Sequence, residues 1–173
     1  MVGYATEDEI VAGLGADLFT QQAYREKVET EMEKVSKAYD IFRTQQLADH
    51  DDLKSVKAAK TELKIRLSQL TDLLNCQLFS SCGGTSFEIW KKSHQPFHWI
   101  AEFYQIIQGN EGFDVIIGNP PYVEYNKKDK SSGKAISDLY QIKNYKTESC
   151  GNLYAFCLER SKTLLNQKGY IGM

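Results

Sequence analysis

Residues 112–123 are Gly-Phe-Asp-Val-Ile-Ile-Gly-Asn-Pro-Pro-Tyr-Val, a short β-branched apolar run closed by a glycine and two prolines. The run is too short for a typical helix and rich in strand-forming residues, so it predicts a buried strand over residues 113–118. Proline has no amide hydrogen and cannot continue a central ladder, so the strand has to end at about Gly118. The tetrapeptide 119–122 is therefore expected at the carboxyl tip of the strand, where open α/β sheets bind ligands.

The four residues of this tetrapeptide suit one type of chemistry. An amino group whose lone pair is delocalised into a ring or a carbonyl is a poor nucleophile, and two acceptors aimed at its hydrogens localise that lone pair. The Asn119 side-chain oxygen is one such acceptor, and the Pro120 carbonyl is the second. Pro120 and Pro121 fix the backbone in extended geometry, which keeps these carbonyls rigid. Tyr122 offers a flat face on which a base can stack, worth roughly 1–3 kcal/mol.

Asn-Pro-Pro-Tyr after this strand resembles the catalytic motif of the S-adenosylmethionine-dependent methyltransferases that modify adenine N6 in DNA. Three other segments strengthen the resemblance: Phe-His-Trp-Ile-Ala-Glu-Phe at 97–103, Gly-Asn-Leu-Tyr-Ala-Phe at 151–156 and Gly-Tyr-Ile-Gly at 169–172. Their order is similar to that of the large type IIG restriction–modification enzymes and their phage-defence relatives. The resemblance covers about residues 87–173.

The resemblance implies a function for the full-length parent enzyme. It would transfer a methyl group from S-adenosylmethionine to an adenine flipped out of double-stranded DNA. Tyr122 would bind the substrate base, and Asn119 would lie next to both the base and the cofactor. The catalytic residues implied by the motif are Asn119, Pro120, Pro121 and Tyr122.

A lysine-containing stretch follows the motif. Four lysines lie between residues 127 and 134, and Lys127 and Lys128 are predicted to bind substrate DNA through its phosphates. The alternative interpretation is a solvated flexible loop. The connection that contains these lysines is long for a compact domain, which indicates a functional or disordered loop.

The family's glycine-rich cofactor loop is not found in the sequence. The one Gly-x-Gly, at 13–15, follows a capping box that begins at Thr6, so it predicts a turn between helices rather than a cofactor loop. In the family, the cofactor elements lie N-terminal to the catalytic strand. We therefore expect this chain to start inside a helical insertion, and to lack cofactor binding and activity by itself.

Two long amphipathic segments precede the motif region. Residues 16–48 and 53–74 carry apolar residues at helical intervals, and the second segment has nearly strict heptad spacing, as in a coiled coil. Their short connection predicts an antiparallel hairpin whose apolar stripes face each other. The alternative is that both stripes dock on a partner domain.

The fold class expected from these segments is α/β. A helical hairpin insertion at 1–79, followed by a small-residue linker, precedes a partial methyltransferase catalytic domain at 87–173. The second domain is expected to be a partial Rossmann-like fold of parallel strands with crossover helices. Further elements are predicted as follows: a strand or turn at 87–90, a strand at 96–99, and helices at 100–107, 136–144 and 152–166, with a strand from 170.

Composition sets the broad class. Lysines and arginines number 21 against 23 acidic residues, so the net charge of −2 gives no electrostatic footprint for nucleic acid on its own. The four cysteines and three histidines have no zinc-site spacing, so no metal is expected. The sequence contains no signal peptide or membrane-length apolar run, which predicts a cytoplasmic protein. His98 and Trp99 are interpreted as packed residues rather than substrate contacts.

Two other functions remain open at this point. A protein-glutamine methyltransferase uses the same motif, because an amide nitrogen poses the same chemical problem as the adenine amino group. The long helical segments and residues 97–103 favour DNA as the substrate. A helical interaction module on a degenerate, non-catalytic methyltransferase remnant is the third possibility.

Overall fold

The structure is a computed structural model, and it describes residues 10, 18–48, 53–82, 86–128, 130, 132–139 and 145–173. The chain forms two compact units, Met1–Tyr104 and Gln105–Met173. This division falls C-terminal to the predicted linker, and the assignment of domains to 1–79 and 87–173 remains a prediction. Apart from Ile10, which is helical and buried, the predicted first helix and the Gly-x-Gly turn lie outside the described residues.

Two thirty-residue helices dominate the first unit, α1 (Leu18–Leu47) and α2 (Leu53–Cys82). The Tyr24 hydroxyl, near the start of α1, donates a 3.2 Å hydrogen bond to the Leu73 carbonyl, near the end of α2. The helices therefore run antiparallel, and the predicted hairpin is confirmed. The large buried apolar residues of both helices come from the predicted apolar stripes: Val28, Met32 and Val35 on α1, and Leu63, Leu70 and Leu74 on α2.

Two short helices complete this unit, α3 (Phe87–His94) and α4 (Trp99–Glu102). The predicted strand or turn at 87–90 is therefore wrong, and the predicted strand at 96–99 is irregular backbone up to residue 98. The aromatic residues that suggested a strand instead cluster on α2: the Trp90 ring lies 5.6 Å from Phe79, which belongs to α2 rather than to a linker. Acidic and basic residues in the first and last turns of α3 complement the helix dipole.

His98 is confirmed as a packed residue. It is 1% exposed, and its Nε2 lies 2.9 Å from Asn75 Oδ1 on α2. Burial lowers the pKa of His98 to about 4, because the charged form loses its hydration. Trp99 stacks on Phe103 with ring centroids 5.4 Å apart. The histidine is therefore neutral at physiological pH and joins the hairpin to the start of α4.

The second unit is built on two parallel strands, β1 (Phe113–Ile117) and β2 (Leu165–Gly172). Between them lie a single-turn helix α5 (Ile136–Leu139), a 3₁₀ turn (Glu148–Cys150) and α6 (Leu153–Leu164), while a π-helix (Gln105–Gly109) precedes β1. The predicted strand, helix and parallel strand are confirmed. The second strand begins at Leu165 rather than at residue 170 and has an irregularity opposite the start of β1. The predicted helix at 100–107 is α4 followed by the π-helix.

β1 is not the buried strand that its apolar run predicts. Val115 is 54% exposed and Ile117 is 82% exposed. Alternate residues of a strand share one face, so these two side chains lie on a face that the described part of the unit leaves uncovered. A two-stranded sheet with one long helix is a mixed α/β structure, and the Rossmann-like fold remains a prediction.

Gly112 fixes the point where β1 begins. Its φ of +128° lies in a region that residues with a side chain avoid, and its amide donates a 2.9 Å hydrogen bond to the Ile106 carbonyl. A Cβ added here would lie 2.6–2.7 Å from backbone atoms of Leu164, Leu165 and Asn166. Glycine is therefore required for the chain to enter β1 beside the start of β2.

Candidate active site

The tetrapeptide 119–122 follows β1 directly, as predicted. The Gly118 amide donates a 3.0 Å hydrogen bond to the Gly172 carbonyl, which is the last bond between the strands before the prolines. The backbone from 118 to 123 is irregular. Pro120 is buried, whereas Asn119, Pro121 and Tyr122 are exposed. The motif therefore has one residue anchored in the unit and three that face outwards.

Two polar groups of the motif have no hydrogen-bond partner among the described residues. Among the described residues, nothing forms a hydrogen bond with the Asn119 side chain or with the Pro120 carbonyl. Both oxygens can therefore accept hydrogen bonds from a substrate. This is the pair of acceptors that the sequence predicts for an amino group.

A short antiparallel contact holds the loop after the motif against the start of α6. The Leu153 amide donates a 2.9 Å hydrogen bond to the Val123 carbonyl, and the Tyr125 amide donates a 2.7 Å bond to the Gly151 carbonyl. Glu124 and Asn152 form the bridge between these two bonds. The motif is thus fixed at both ends, by the parallel sheet before it and by this bridge after it.

The register of the bridge brings two tyrosines together. Tyr122 is two residues before Glu124 and Tyr154 is two residues after Asn152, in the first turn of α6, so the antiparallel bridge brings the two tyrosines near each other. Their ring centroids lie 6.0 Å apart and the planes differ by 21°, an offset stack. The Asn152 side chain caps α6 by accepting a 3.1 Å hydrogen bond from the Tyr154 amide.

Aromatic residues from the loop and from α6 pack together next to the bridge. Tyr125 and Phe156 are buried and meet edge to face, with ring centroids 5.5 Å apart. Tyr145 contacts the same Phe156 ring at 5.3 Å. This packing fixes the position of α6 relative to the loop that contains Tyr125. It thereby helps to fix the exposed Tyr122 and Tyr154, which lie on these two segments.

Tyr154 is a candidate site residue that the sequence analysis did not assign. It belongs to Gly-Asn-Leu-Tyr-Ala-Phe at 151–156, which carries part of the family resemblance. That segment was the available signal, but the role of its tyrosine depends on the register of the bridge. A single sequence does not reveal this register.

The two lysines predicted to bind DNA are exposed and come soon after the bridge. Lys127 Nζ lies 3.6 Å from the Glu124 carboxylate, an exposed ion pair of small energetic value. The stretch that contains them begins and ends at one place, because the Ser137 amide donates a 3.2 Å hydrogen bond to the Tyr125 carbonyl. The lysine-containing stretch is therefore a loop whose two ends meet at Tyr125, three residues after the motif. The helix predicted at 136–144 is seen as α5, and residues 140–144 lie outside the described part.

The C-terminal end of the same connection is held by Glu159 on α6. Its carboxylate accepts hydrogen bonds from the Lys146 amide at 2.9 Å, and from the Thr147 amide and hydroxyl at 2.8 and 2.7 Å. Burial raises the pKa of Glu159, but the Thr147 and Lys146 hydrogen bonds and the Lys146 charge lower it by more, so the net pKa is below its ordinary value. The neighbouring Arg160 donates a 2.9 Å hydrogen bond to the Tyr145 hydroxyl.

The described residues contain neither a metal-binding cluster nor a membrane-spanning helix. No group of three or more histidine, cysteine, aspartate or glutamate side chains in these ranges has the geometry to hold a metal ion. No helix in the same ranges is both long enough and apolar enough to span a bilayer.

Comparisons with known proteins give the family of the chain. A protein of Methanocaldococcus jannaschii described as a "putative type II restriction enzyme and methyltransferase" is 39% identical over 80 residues, which is 45% of this chain and 6% of that protein. The chain thus matches only a small part of its relative's length. No solved structure matches the chain. Residues 16–173 match the family described as Eco57I restriction-modification methylase, and the chain belongs to that family.

Proposed function

We propose that the full-length protein carrying this chain is a DNA methyltransferase of a restriction–modification system, with the type IIG arrangement, that methylates adenine at N6. The observation that carries the proposal is the Asn-Pro-Pro-Tyr tetrapeptide at the carboxyl end of β1, in a chain of the restriction-modification methylase family. Double-stranded DNA is the proposed partner, and the cytoplasm is the proposed location.

The roles of the motif residues follow from their surroundings. The Asn119 side-chain oxygen and the Pro120 carbonyl accept the two hydrogens of the adenine amino group, since both oxygens are free of other hydrogen bonds within the described part of the chain. Pro121 keeps this backbone extended. The exposed Tyr122 ring stacks on the flipped base.

The proposed reaction is a direct displacement without a covalent enzyme intermediate. S-adenosylmethionine, when bound, would supply a methyl group on a positively charged sulfur. As Asn119 and Pro120 localise the lone pair on the amino nitrogen, that pair forms the new bond to carbon. The carbon–sulfur bond would break with its electrons left on sulfur, and the methylated amino group would then release one proton to solvent. Interactions that tighten in this transition state raise the rate most.

The described residues fit only the reacting end of the cofactor. We assign Asn119 to the cofactor as well as to the base, because its exposed side chain would lie next to the transferred methyl group. Two carboxylates of this unit already have partners: Asp114, near the start of β1, accepts a hydrogen bond from Asn166, and Glu124, after the motif, pairs with Lys127. We therefore propose that the chain by itself does not bind the cofactor. Saturable binding of S-adenosylmethionine to the isolated chain would contradict this.

Two structural expectations belong to the same proposal. The parallel strands and α6 form part of a Rossmann-like catalytic domain at 87–173. The hairpin of α1 and α2 forms a coiled-coil-like insertion at 1–79 that precedes it. Both expectations are tested by a structure of the full-length protein.

The deciding experiment measures methyl transfer by the full-length protein from labelled S-adenosylmethionine to DNA. The DNA comes from the source cells and is prepared so that its target adenines are unmethylated. Asn119→Ala is expected to lower incorporation into adenine by about 100-fold or more, the size seen when one aligned polar group is removed from a reacting centre. Asn110→Ala is the matched control, because Asn110 is an exposed asparagine before β1. It is expected to retain normal activity.

The outcomes of this experiment separate the functional classes. Label in adenine that disappears with Asn119→Ala supports the proposal. Undiminished labelling by Asn119→Ala overturns the assignment of the site. Label in protein glutamine instead of DNA would mean that the motif methylates a protein amide. No label in either substrate would favour a non-catalytic interaction module.

A further inference from the structure

Tyr122 by itself is poorly prepared to hold a base. It lies on irregular backbone and 74% of its surface is exposed. An exposed side chain of this kind samples several rotamers, and ordering it when a ligand binds weakens the binding. A partner that fixes the ring in advance removes this cost.

Tyr154 is built to be that partner. It lies in the first turn of α6, where the Asn152 cap and the hydrogen bond between Leu153 and Val123 fix the backbone on both sides of the bridge. Tyr154 is 41% exposed, and its ring stacks on that of Tyr122 with centroids 6.0 Å apart.

The geometry of the stack leaves one face for a ligand. The planes differ by 21° and the ring centroids lie 6.0 Å apart, so Tyr154 packs along one side of the Tyr122 ring in an offset stack. Tyr122 is 74% exposed and Tyr154 is its one ring partner among the described residues, which leaves an open face for a ligand. A planar base on this open face would extend the stack to three rings.

We propose that Tyr154 is a positioning residue that fixes the plane of Tyr122, so that the two rings form a two-layer platform for the flipped base. This inference rests on the proposed function, since it requires that a base enters the site. It assigns Tyr154 no contact with the reacting atoms. The platform acts alike before and during the reaction, so it contributes to binding more than to the chemical step.

The test measures methyl transfer by the full-length protein over a range of DNA concentrations. Tyr154→Ala is expected to raise the KM for DNA about 2- to 10-fold, the size expected for one aromatic pair, while kcat changes less. Tyr154→Phe keeps the ring and is expected to behave like the unsubstituted protein. Tyr154→Leu keeps an apolar side chain without a π-face and is expected to resemble Tyr154→Ala.

A control on the same helix separates positioning from stability. Leu158 is one turn further along α6 and 38% exposed, so Leu158→Ala removes a comparable exposed side chain away from Tyr122. It is expected to leave the KM unchanged, and thermal unfolding is expected to be similar for all four variants. A normal KM for Tyr154→Ala, or equal behaviour of the Phe and Leu variants, would overturn the inference.

The inference and the proposed function fail in different ways. If Asn119→Ala abolishes adenine methylation while Tyr154→Ala leaves the KM unchanged, the function stands and the positioning role is wrong. If no adenine is methylated, the proposed function fails. In that case the inference fails with it, because no base would enter the site.

Discussion

The Leu153 amide donates a 2.9 Å hydrogen bond to the Val123 carbonyl, one residue beyond the Asn-Pro-Pro-Tyr motif. This bond ties the loop after β1 to the N-terminal end of α6. The motif therefore does not end in a free loop, although 29 residues of connection (124–152) follow it before α6 begins. The first turn of α6 becomes part of the candidate site.

The first prediction concerns the lysine loop beside the motif. If Lys127 and Lys128 bind phosphates, replacing both with alanine will reduce the slope of log K against log salt for DNA binding by up to about 1.8, at roughly 0.9 per phosphate. Lys128→Ala is expected to have the larger single effect, because Lys127 shares its charge with Glu124. The measurement is DNA affinity of the full-length protein at several salt concentrations.

The control for the lysines uses the same charge change elsewhere in the unit. Lys162 on α6 and Lys168 on β2 are exposed, and their double replacement with alanine is expected to leave the slope unchanged. An equal reduction by both double variants would mean that the effect reflects net charge rather than a contact by the loop.

The second prediction concerns the anchor of the connection at Glu159. Glu159→Gln removes the negative charge that accepts bonds from Lys146 and Thr147. Hydrogen bonds to a charged group contribute about 1.5–3 kcal/mol, so these two amides are expected to exchange with solvent about 10- to 100-fold faster. Hydrogen–deuterium exchange measures this directly.

Glu148→Gln provides the comparison for Glu159, since Glu148 is exposed in the 3₁₀ turn nearby. It is expected to leave the exchange of both amides unchanged. Because the pKa of Glu159 is lowered in the folded protein, its ionised carboxylate contributes to stability in a pH-dependent way. This contribution is complete above the ordinary carboxyl pKa, and it is lost as pH falls through the lower folded pKa. If the Lys146 and Thr147 amides of Glu159→Gln exchange as slowly at neutral pH as those of the unsubstituted protein, Glu159 does not hold this segment in place.

The third prediction concerns acid stability through His98. Its pKa is about 4 when folded and near 6.5 when unfolded, so the unfolded chain binds the proton first as pH falls. The contribution of neutral His98 to the free energy of unfolding is complete above pH 6.5. It decreases as pH falls from 6.5 to about 4, and the total loss is roughly 3 kcal/mol. Thermal unfolding is expected to shift to lower temperature over this range.

His98→Gln tests that assignment. Glutamine can still donate a hydrogen bond to Asn75 Oδ1 but does not titrate. The variant is expected to lose much of the change in unfolding temperature between pH 7 and pH 5, whatever its stability at neutral pH. The same pH dependence in the variant and the unsubstituted protein would show that other groups control acid unfolding.

The sequence predicted elements whose cause is local. The strand at β1, the stop at the prolines, the helix α6 with Asn152 at its start, and the hairpin of α1 and α2 were all predicted. Each depends on residue types within a few positions: β-branched runs, a missing amide hydrogen, a capping side chain or helical spacing of apolar residues. The motif was found by the same local reasoning, and its roles remain predictions.

Tertiary contacts decided the elements whose residues have ambiguous local preferences. Phe87 and Trp90 suit a strand as well as a helix, and they became helical because their rings pack against Phe79 on α2. The apolar residues of β1 predicted burial, but burial depends on which surfaces cover the strand. Val115 and Ile117 remain exposed because the described sheet has two strands.

The sequence by itself determined the motif on which the proposed chemistry rests, because Asn119, Pro120, Pro121 and Tyr122 are consecutive and need no distant partner to be recognised. Tertiary structure alone decided that Tyr154 stacks on Tyr122. These residues are 32 positions apart, and their meeting depends on the register of the bridge between Glu124 and Asn152. Register is set by hydrogen bonds between distant segments and by the packing of Tyr125 on Phe156, which local sequence preferences do not specify.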